Sequence, residues 1–227
     1  MMMGIVAQQA LIVAEPATDP YWANVFSLAH FDTDFVDAKD GAAWTKTTNV
    51  AIQADAAAFG GAGAHNPGDS EWLQRTISTL GTQDFTLEFR VKLDAPASGT
   101  NRLVDLRSGG ISATGLTLQL TSGVLTLSIT GTSTISGTIG DLSTVTSLCI
   151  ERAGTTFTVY ANGAAVISYT TSDSLPYTTL RMMNSIVNSA QWTTQGSPGL
   201  LDELRLTIGV ARYQGNYTPS TAPFPEV

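Results

Sequence analysis

The sequence has one cysteine, two histidines and few charged residues, and each scarcity excludes a class of function. Cys149 is alone, so the chain forms no internal disulfide, and no histidine lies near it in sequence to complete a metal cluster or a nucleophilic pair. Its place in the apolar run 148–150 predicts a small buried side chain. His30 and His65 stand apart from each other, and we expect both to be structural or surface residues.

Charge is scarce and unbalanced. Charged residues make up 13% of the chain, against about 25% in typical proteins, and the formal net charge is −8. Eleven Lys and Arg residues spread along the chain form no basic patch, which argues against nucleic-acid and anionic-membrane partners. No apolar run reaches the ~18 residues of a membrane span. The apolar start, residues 1–14, lacks the basic region of a secretory signal, which favours an arm over a leader.

The length of 227 residues fits one all-β domain with a short extension. Asp19-Pro20 marks the boundary, because proline biases the preceding residue away from helix. We therefore divide the chain into an N-terminal arm, 1–18, and a domain, 19–227. The arm, as a short helix or an extended segment, is expected to dock the domain on another protein.

Strand signals are dense within the domain. Phe85 to Leu93 alternates apolar and polar residues, which predicts one buried and one outward face. Ser122-Gly123 and Asn162-Gly163 each separate two strand-like runs, as the turn of a β-hairpin does. Leu200 to Ile208 is the last long strand. About a dozen such strands with hairpin connections predict two packed antiparallel sheets.

Four segments, in this order, resemble the laminin-G-like, concanavalin A-like domains of phage virion proteins. They are Asp19-Pro-Tyr-Trp-Ala-Asn-Val25 with His30-Phe-Asp32; Asp84-Phe-Thr-Leu-Glu-Phe89; Cys149-Ile-Glu-Arg152 with 157–163; and Leu201-Asp-Glu-Leu-Arg205 with Gly209-Val-Ala-Arg-Tyr213 and 218–225. The resemblance covers about 19–225 and departs from the family at Thr146-Ser147, where a tryptophan is usual. It implies an all-β, two-sheet antiparallel jelly-roll sandwich. Known members of the family bind glycans or proteins, often through calcium, and in phages they lie on tail fibres, tailspikes or capsid surfaces. By analogy with tail fibres, a homo-oligomer such as a trimer is a further expectation.

Glycosidases on this fold carry a Glu-x-Asp-x-x-Glu strand, whose alternate carboxylates face one cleft. This chain has no such spacing. Asp202 and Glu203 are adjacent on a predicted strand, and we expect them to face opposite sides. The sequence therefore predicts a non-enzymatic protein. The alternative role for this acidic pair is structural, either in a salt bridge with Arg205 or Arg212 or in hydrogen bonds to loop amides.

Sugar binding needs aromatic faces beside polar groups. Four aromatic residues lie in loop-like or strand-end contexts and are the candidate ligand-binding residues: Trp44, Trp72, Tyr177 and Trp192. Trp192 lies within a polar stretch, 188–195, that suits sugar hydroxyls. Packing in the core or at its rim is the alternative for each of the four.

Calcium is the cofactor that the resemblance implies, and Ca²⁺ takes six to eight hard oxygen ligands. The stretch Asp32 to Gly41 is rich in aspartate but does not have the ligand pattern of an EF-hand loop. If the first and last strands are neighbours, Asp32 or Asp34 can meet Asp202, and these three are the candidate metal ligands. The alternative is a solvated loop with turn-forming aspartates.

Two functions follow as hypotheses. The first is a phage virion surface protein that binds a host glycan or receptor. The second is a structural virion component, docked by its arm, that binds no glycan. A secreted bacterial carbohydrate-binding module, with an extracellular location, is a third alternative.

Overall fold

The computed structural model describes residues 18–54, 57–95, 99–107, 115–129, 133–186 and 196–227. A short 3-10 helix, Trp22–Asn24, precedes fifteen strands. In chain order the strands are β1 (Val25–Ala29), β2 (Thr45–Lys46), β3 (Ala51–Gln53), β4 (Gly63–Asn66), β5 (Leu73–Thr76), β6 (Phe85–Leu93), β7 (Thr100–Arg107), β8 (Gly115–Thr121), β9 (Val124–Ile129), β10 (Ser133–Thr138), β11 (Thr146–Ala153), β12 (Thr156–Ala161), β13 (Ala164–Thr170), β14 (Thr179–Met182) and β15 (Gly199–Ile208). In these described ranges we find no helix with the length and apolar character needed to span a bilayer.

The strands form two antiparallel sheets, which confirms the predicted sandwich. The eight-stranded sheet has the order β13-β12-β11-β6-β15-β4-β3, with β1 also paired to β15. The seven-stranded sheet has the order β10-β9-β8-β7-β14-β5-β2. Strand β15 pairs through Gly199 to Leu201 with β4 and through Leu204 to Thr207 with β1. The first and last strands are therefore neighbours.

The core lies between the inner faces of the two sheets. Alternate residues of β6 face it, and all are 3% exposed or less: Phe85, Leu87, Phe89, Val91 and Leu93. On the opposite sheet, Leu116, Leu118 and Leu120 of β8 are equally buried. Period-2 alternation thus places the core-facing residues as the sequence predicted. Cys149 is a free, buried thiol, also as predicted.

Both predicted hairpins are present. Ser122 and Gly123 have φ angles of 49° and 79°, and Asn162 and Gly163 have 48° and 80°, so both turns use two left-handed residues. Gly163 is further required by packing, because a Cβ there would lie 1.9 Å from the carbonyl oxygen of Tyr217. The local dipeptide therefore determines each turn.

The C-terminal segment, 209–227, covers the outer face of the eight-stranded sheet. The backbone amides of Tyr213 and Gln214 donate to the two carboxylate oxygens of Glu151, at 2.7 and 2.8 Å. Farther along, the amide of Phe224 donates to Glu203 at 2.7 Å. This segment explains why the outward residues of β6 are buried as well as the inward ones.

A charged network lies beneath the C-terminal segment. Arg205 donates to Glu88 (2.9 Å) and to Asp19 (2.8 Å), and Arg212 also donates to Asp19 (2.8 and 2.9 Å). Burial alone would raise the pKa of Asp19, but these arginines and the amide of Tyr21 lower it below 3.8. The predicted salt bridge of Arg205 or Arg212 with the acidic pair of β15 is therefore wrong, because the arginines pair with Asp19 and Glu88 instead.

Candidate functional site

A polar row crosses the outer face of the seven-stranded sheet. Gln74 on β5 pairs with Arg181 on β14, which pairs in turn with Asp105 on β7. Their strand neighbours Leu180 and Leu106 are buried in the core, so the three polar side chains project from the opposite face. The strand register thus brings together residues that are distant in sequence.

Arg181 connects this row to an aromatic ring. Its guanidinium donates to the side-chain oxygen of Gln74 at 2.7 and 3.1 Å and to the carbonyl oxygen of Ser185 at 2.7 Å. It also lies 4.5 Å from the centre of the Trp72 ring, in a cation–π arrangement. Trp72 is half-buried, directly before β5. The arrangement is an aromatic surface beside fixed hydrogen-bonding groups.

Asp105 attaches the chain after β14 to the sheet. It is fully buried and accepts two hydrogen bonds from Arg107, at 2.8 and 2.5 Å. It also accepts from the hydroxyl of Ser185 (3.1 Å) and the amide of Ile186 (2.9 Å). On the far side, the amide of Ser197 donates to the carbonyl oxygen of Met183 at 2.9 Å. The stretch between these two attachments contains Trp192, which lies outside the described residues.

The other two candidate aromatic residues lie elsewhere. Trp44 is 3% exposed and packs edge-to-face on Phe31, with ring centres 5.9 Å apart. A ring so buried presents no face to a ligand, so Trp44 leaves the candidate set. Tyr177 is half-buried and packs against the main core. Trp72 and Tyr177 are both half-buried, and the ring of Trp72 contacts a charged side chain, that of Arg181.

The structure does not bring Asp32, Asp34 and Asp202 into one metal site. In the described part of the chain, no group of three or more His, Cys, Asp or Glu residues is arranged to hold a metal ion. Asp32 and Asp34 line a cleft of about 370 Å³ together with His30 and Glu226, and Asp202 is not among its lining residues. Asp34 also accepts from the amide of Val36 at 2.8 Å, as a turn-forming aspartate does. Calcium binding therefore stays a prediction, which a calcium titration of the melting temperature tests.

Asp202 instead holds a loop. It is fully buried, and one carboxylate oxygen accepts the amides of Ala58 and Phe59, at 2.7 and 3.1 Å. The other oxygen accepts the amide of Glu203 at 2.9 Å. Burial raises the pKa of Asp202 to about 7 against the opposing effect of these amides. Hydrogen bonding to loop amides, one of the two structural roles predicted for the acidic pair, is confirmed.

The regular strand expected at Asp202 and Glu203 is interrupted. The pairing register of β15 with β6 shifts between Asp202 and Arg205, and Glu203 has a φ of 49°. This is a β-bulge, so simple alternation does not describe the pair. Their carboxylates nonetheless have different partners, because Glu203 accepts from His30 and Phe224.

His30 is bound to two carboxylates at the end of the sandwich. Its Nδ1 lies 2.7 Å from Glu203 and its Nε2 lies 3.4 Å from Glu226. Burial alone would lower the pKa of His30, but the hydrogen bond and charge of Glu203, with the charges of Glu226 and Asp32, raise it above 6.5. Since Glu203 also holds Phe224, this cluster fixes the end of the C-terminal segment.

The cluster predicts a pH-dependent stability. The folded state keeps the His30 proton to higher pH than the unfolded state, so the stabilisation is complete below about pH 6.5 and is lost as the pH rises through the raised pKa. We expect His30→Gln to lower the free energy of unfolding by about 1–2 kcal/mol near pH 6, and by less above pH ~8. Denaturant unfolding at both pH values measures this. His65→Gln is the control, at a more exposed pair with Asp94, and should change stability little at either pH. A His30 effect that does not vary with pH would contradict the assignment.

Sequence reasoning missed Gln74, Asp105 and Arg181. A signal was present for Arg181, which stands between the buried apolar residues Leu180 and Met182 and so had to face outward. The pairing of β5 with β14, 107 positions apart, was not encoded in any local pattern.

Comparison with known proteins identifies the family. Residues 66–207 match the family described as the concanavalin A-like lectin/glucanases superfamily. A search of curated protein sequences found no match.

Three solved structures show the same fold. Domain 4 of AbnA, an extracellular GH43 arabinanase from Geobacillus stearothermophilus, was solved with arabinotriose; it has a TM-score of 0.63 and 17% identity, over 83% of this chain and 94% of that one. Trypanosoma rangeli sialidase in complex with sialic acid has a TM-score of 0.63 and 12% identity, and the match covers 90% of this chain and 32% of the sialidase chain. A structure of botulinum neurotoxin type C, whose cell entry depends on two ganglioside molecules, has a TM-score of 0.60 and 10% identity. The match covers 85% of this chain and 50% of the toxin chain. This chain thus spans about a third of the sialidase chain and half of the toxin chain, and these identities show the fold alone.

Proposed function

The chain belongs to the concanavalin A-like lectin/glucanase superfamily, and from this premise we propose that it is a non-enzymatic glycan-binding domain. Its site is the outer face of the seven-stranded sheet at Trp72. The observation that carries the proposal is the Trp72 ring beside the Arg181–Gln74 pair. Sugar rings present apolar C–H faces between hydroxyls, so an aromatic face flanked by fixed donors and acceptors suits them.

Binding without hydrolysis is consistent with the carboxylates of this face. Glycosidases need two carboxyl groups about 5–10 Å apart across the bond that is cleaved, one of them able to hold a proton. Asp105 is fully buried and is already bonded to Arg107, Ser185 and Ile186. It therefore has a structural role, which supports a binding function rather than a catalytic one.

The relatives support the ligand class. The arabinanase domain was solved with a neutral oligosaccharide, arabinotriose, and covers almost the same length as this chain. The toxin and sialidase structures concern gangliosides and sialic acid. We therefore propose a glycan of a host surface as the ligand.

We also place the domain on the surface of a phage particle, in a tail or capsid position, with the arm 1–18 bound to other virion proteins. The backbone amide of Asp19 donates to the carbonyl oxygen of Val227 at 2.5 Å, so both ends of the domain meet at one place. Asp19 lies with Arg205 on the outer side of the eight-stranded sheet, opposite the Trp72 face. A domain attached there would present Trp72 outward. A structural virion component that binds no glycan remains the alternative.

Trp72→Ala tests the proposal. Aromatic residues at the centre of binding sites typically contribute 2 kcal/mol or more, so we expect about 30-fold weaker binding to glycans that the native domain selects on an array. Trp22→Ala is the matched control, since Trp22 is also half-buried with a cation on its ring, Lys39 at 3.8 Å, but lies away from this face. Circular dichroism confirms that both variants fold. A native domain that binds no glycan would support the structural alternative.

A further inference from the structure

A second surface of the seven-stranded sheet has an unusual composition. Residues 108–140 contain no Asp, Glu, Lys or Arg, in a chain that is 13% charged. The leucines of β8 and β9 face the core, and Ile135 of β10, which pairs with Leu127, packs against it, so the intervening residues lie on the opposite face. We name this surface the hydroxyl face: Thr121, Thr126, Ser128, Thr134 and Ser136.

The hydroxyls of this face pair across the strands. Thr126 bonds to Ser136 at 2.9 Å and Ser128 to Thr134 at 3.4 Å. Each hydroxyl offers one donor and two acceptor positions, so a single mutual bond leaves the half-buried Ser128 with further capacity, whereas Thr126 is buried and supports the array from below. Thr134 and Ser136, on the edge strand, are exposed. The result is an uncharged array of hydroxyls held by bonds across the strands.

Strand register links the hydroxyl face to the polar row of the candidate site. Asp105 pairs in register with Thr117, which pairs with Ser128, which pairs with Thr134. Ser185 and Ile186 cover Asp105 and so divide the outer face into a Trp72 side and a hydroxyl side. With strands about 4.8 Å apart, the seven-stranded row spans roughly 29 Å, which an oligosaccharide of a few rings does not fill.

We infer that the hydroxyl face binds the extended part of a long, uncharged polysaccharide whose other part contacts Trp72. Strands β8–β10 contain no Lys or Arg, and the chain carries a net charge of −8, so electrostatics disfavour the binding of an anionic polymer. A protein partner would need an apolar centre, whereas the outward residues of these strands are hydroxyls and an amide apart from Val124. The repeated hydroxyl groups of a neutral polymer can form many weak hydrogen bonds with this array, so binding does not depend on one dominant contact. The inference rests on the proposed function and extends it to a substrate class.

The test uses the double variant Thr134→Glu/Ser136→Glu. Both positions are exposed, so the variant is expected to fold, and two carboxylates disrupt the hydroxyl pairing without touching Trp72. The control is Ser168→Glu/Thr170→Glu, which changes two exposed hydroxyl residues at the same spacing on β13, the edge strand of the eight-stranded sheet. Binding is measured to immobilised debranched arabinan and mixed-linkage glucan as neutral probes, to alginate as an anionic probe, and to short oligosaccharides on the array.

We expect the double variant to bind a neutral polysaccharide about tenfold more weakly than the native domain, as the loss of two hydrogen bonds predicts, and to bind short oligosaccharides normally. The conservative exchange Thr134→Ser/Ser136→Thr should retain native binding. Unchanged polysaccharide binding by the double Glu variant, with Trp72→Ala still defective, would overturn this inference and leave the proposed function standing. Preferential binding of alginate would also overturn it. Absence of all glycan binding by the native domain would overturn both.

Discussion

Replacing Arg205 with methionine is expected to lower the free energy of unfolding by about 3–5 kcal/mol. Arg205 is 6% exposed and donates to Glu88 at 2.9 Å and to Asp19 at 2.8 Å, and both carboxylates are buried. Methionine keeps much of the packing volume but leaves the buried Glu88 with the more distant Arg212, whose Nε lies 3.8 Å from it, as its cation. The cost is large because Glu88 then keeps its desolvation penalty with weaker compensation, and Asp19 loses one of its two arginines.

Denaturant unfolding of the full chain measures this effect, and Lys92→Met is the matched control. Lys92 is on β6, in the same sheet, but is half-buried rather than buried. Its replacement should change stability by no more than about 0.5 kcal/mol. Equal small effects of the two substitutions would show that the C-terminal segment is held by packing and not by the charged network.

Asp202→Ala is expected to lower the free energy of unfolding by about 2–4 kcal/mol, since two loop amides and the amide of Glu203 lose their acceptor. The amides of Ala58 and Phe59 are part-buried, so water replaces only some of the lost bonding. The loop at 57–60 is closely packed. A Cβ at Gly60 would lie 1.8 Å from a carboxylate oxygen of Asp32, so only glycine fits at this position. Thermal unfolding followed by circular dichroism measures the loss.

Asp34→Ala is the control for this prediction, because Asp34 is exposed and its side chain bonds to the local amide of Val36. It should cost under about 1 kcal/mol. The same measurement with calcium and with a chelator separates the two roles considered for Asp202. If calcium raises the melting temperature of the native chain but not of Asp202→Ala, Asp202 is a metal ligand and the loop-anchor account is incorrect.

Local signals in the sequence determined much of the fold. The dipeptides at 122–123 and 162–163 require left-handed turn residues, and alternation in β6 and β8 separates core from surface. Both depend on neighbours in sequence, so they could be predicted without knowledge of the sheet order. The number of strands and their hairpin connections predicted two packed sheets, and the family resemblance specified a jelly-roll sandwich.

Features that depend on non-local packing could not be predicted in the same way. Trp44 directly precedes the short strand β2, and nothing local indicates that Phe31 covers its ring. The bulge at Glu203 depends on the pairing of β15 with β6 and β1, and it replaces the regular alternation that adjacency suggested. Trp72 was identified from its loop-like or strand-end context, but its partner Arg181 became apparent only from the register of β5 and β14.

The most direct test of the proposed site is a nuclear magnetic resonance titration of the isotope-labelled chain with the shortest oligosaccharide that the array identifies. The chain has four tryptophans, so the indole N–H signals form a small set that single Trp→Phe variants can assign. We predict that the signals of Trp72, the Gln74 amide and the Arg181 guanidinium shift on binding, while those of Trp44 and Trp22 do not. Shifts centred on His30 and Asp32 at the acidic cleft, with Trp72 unchanged, would contradict the proposed site.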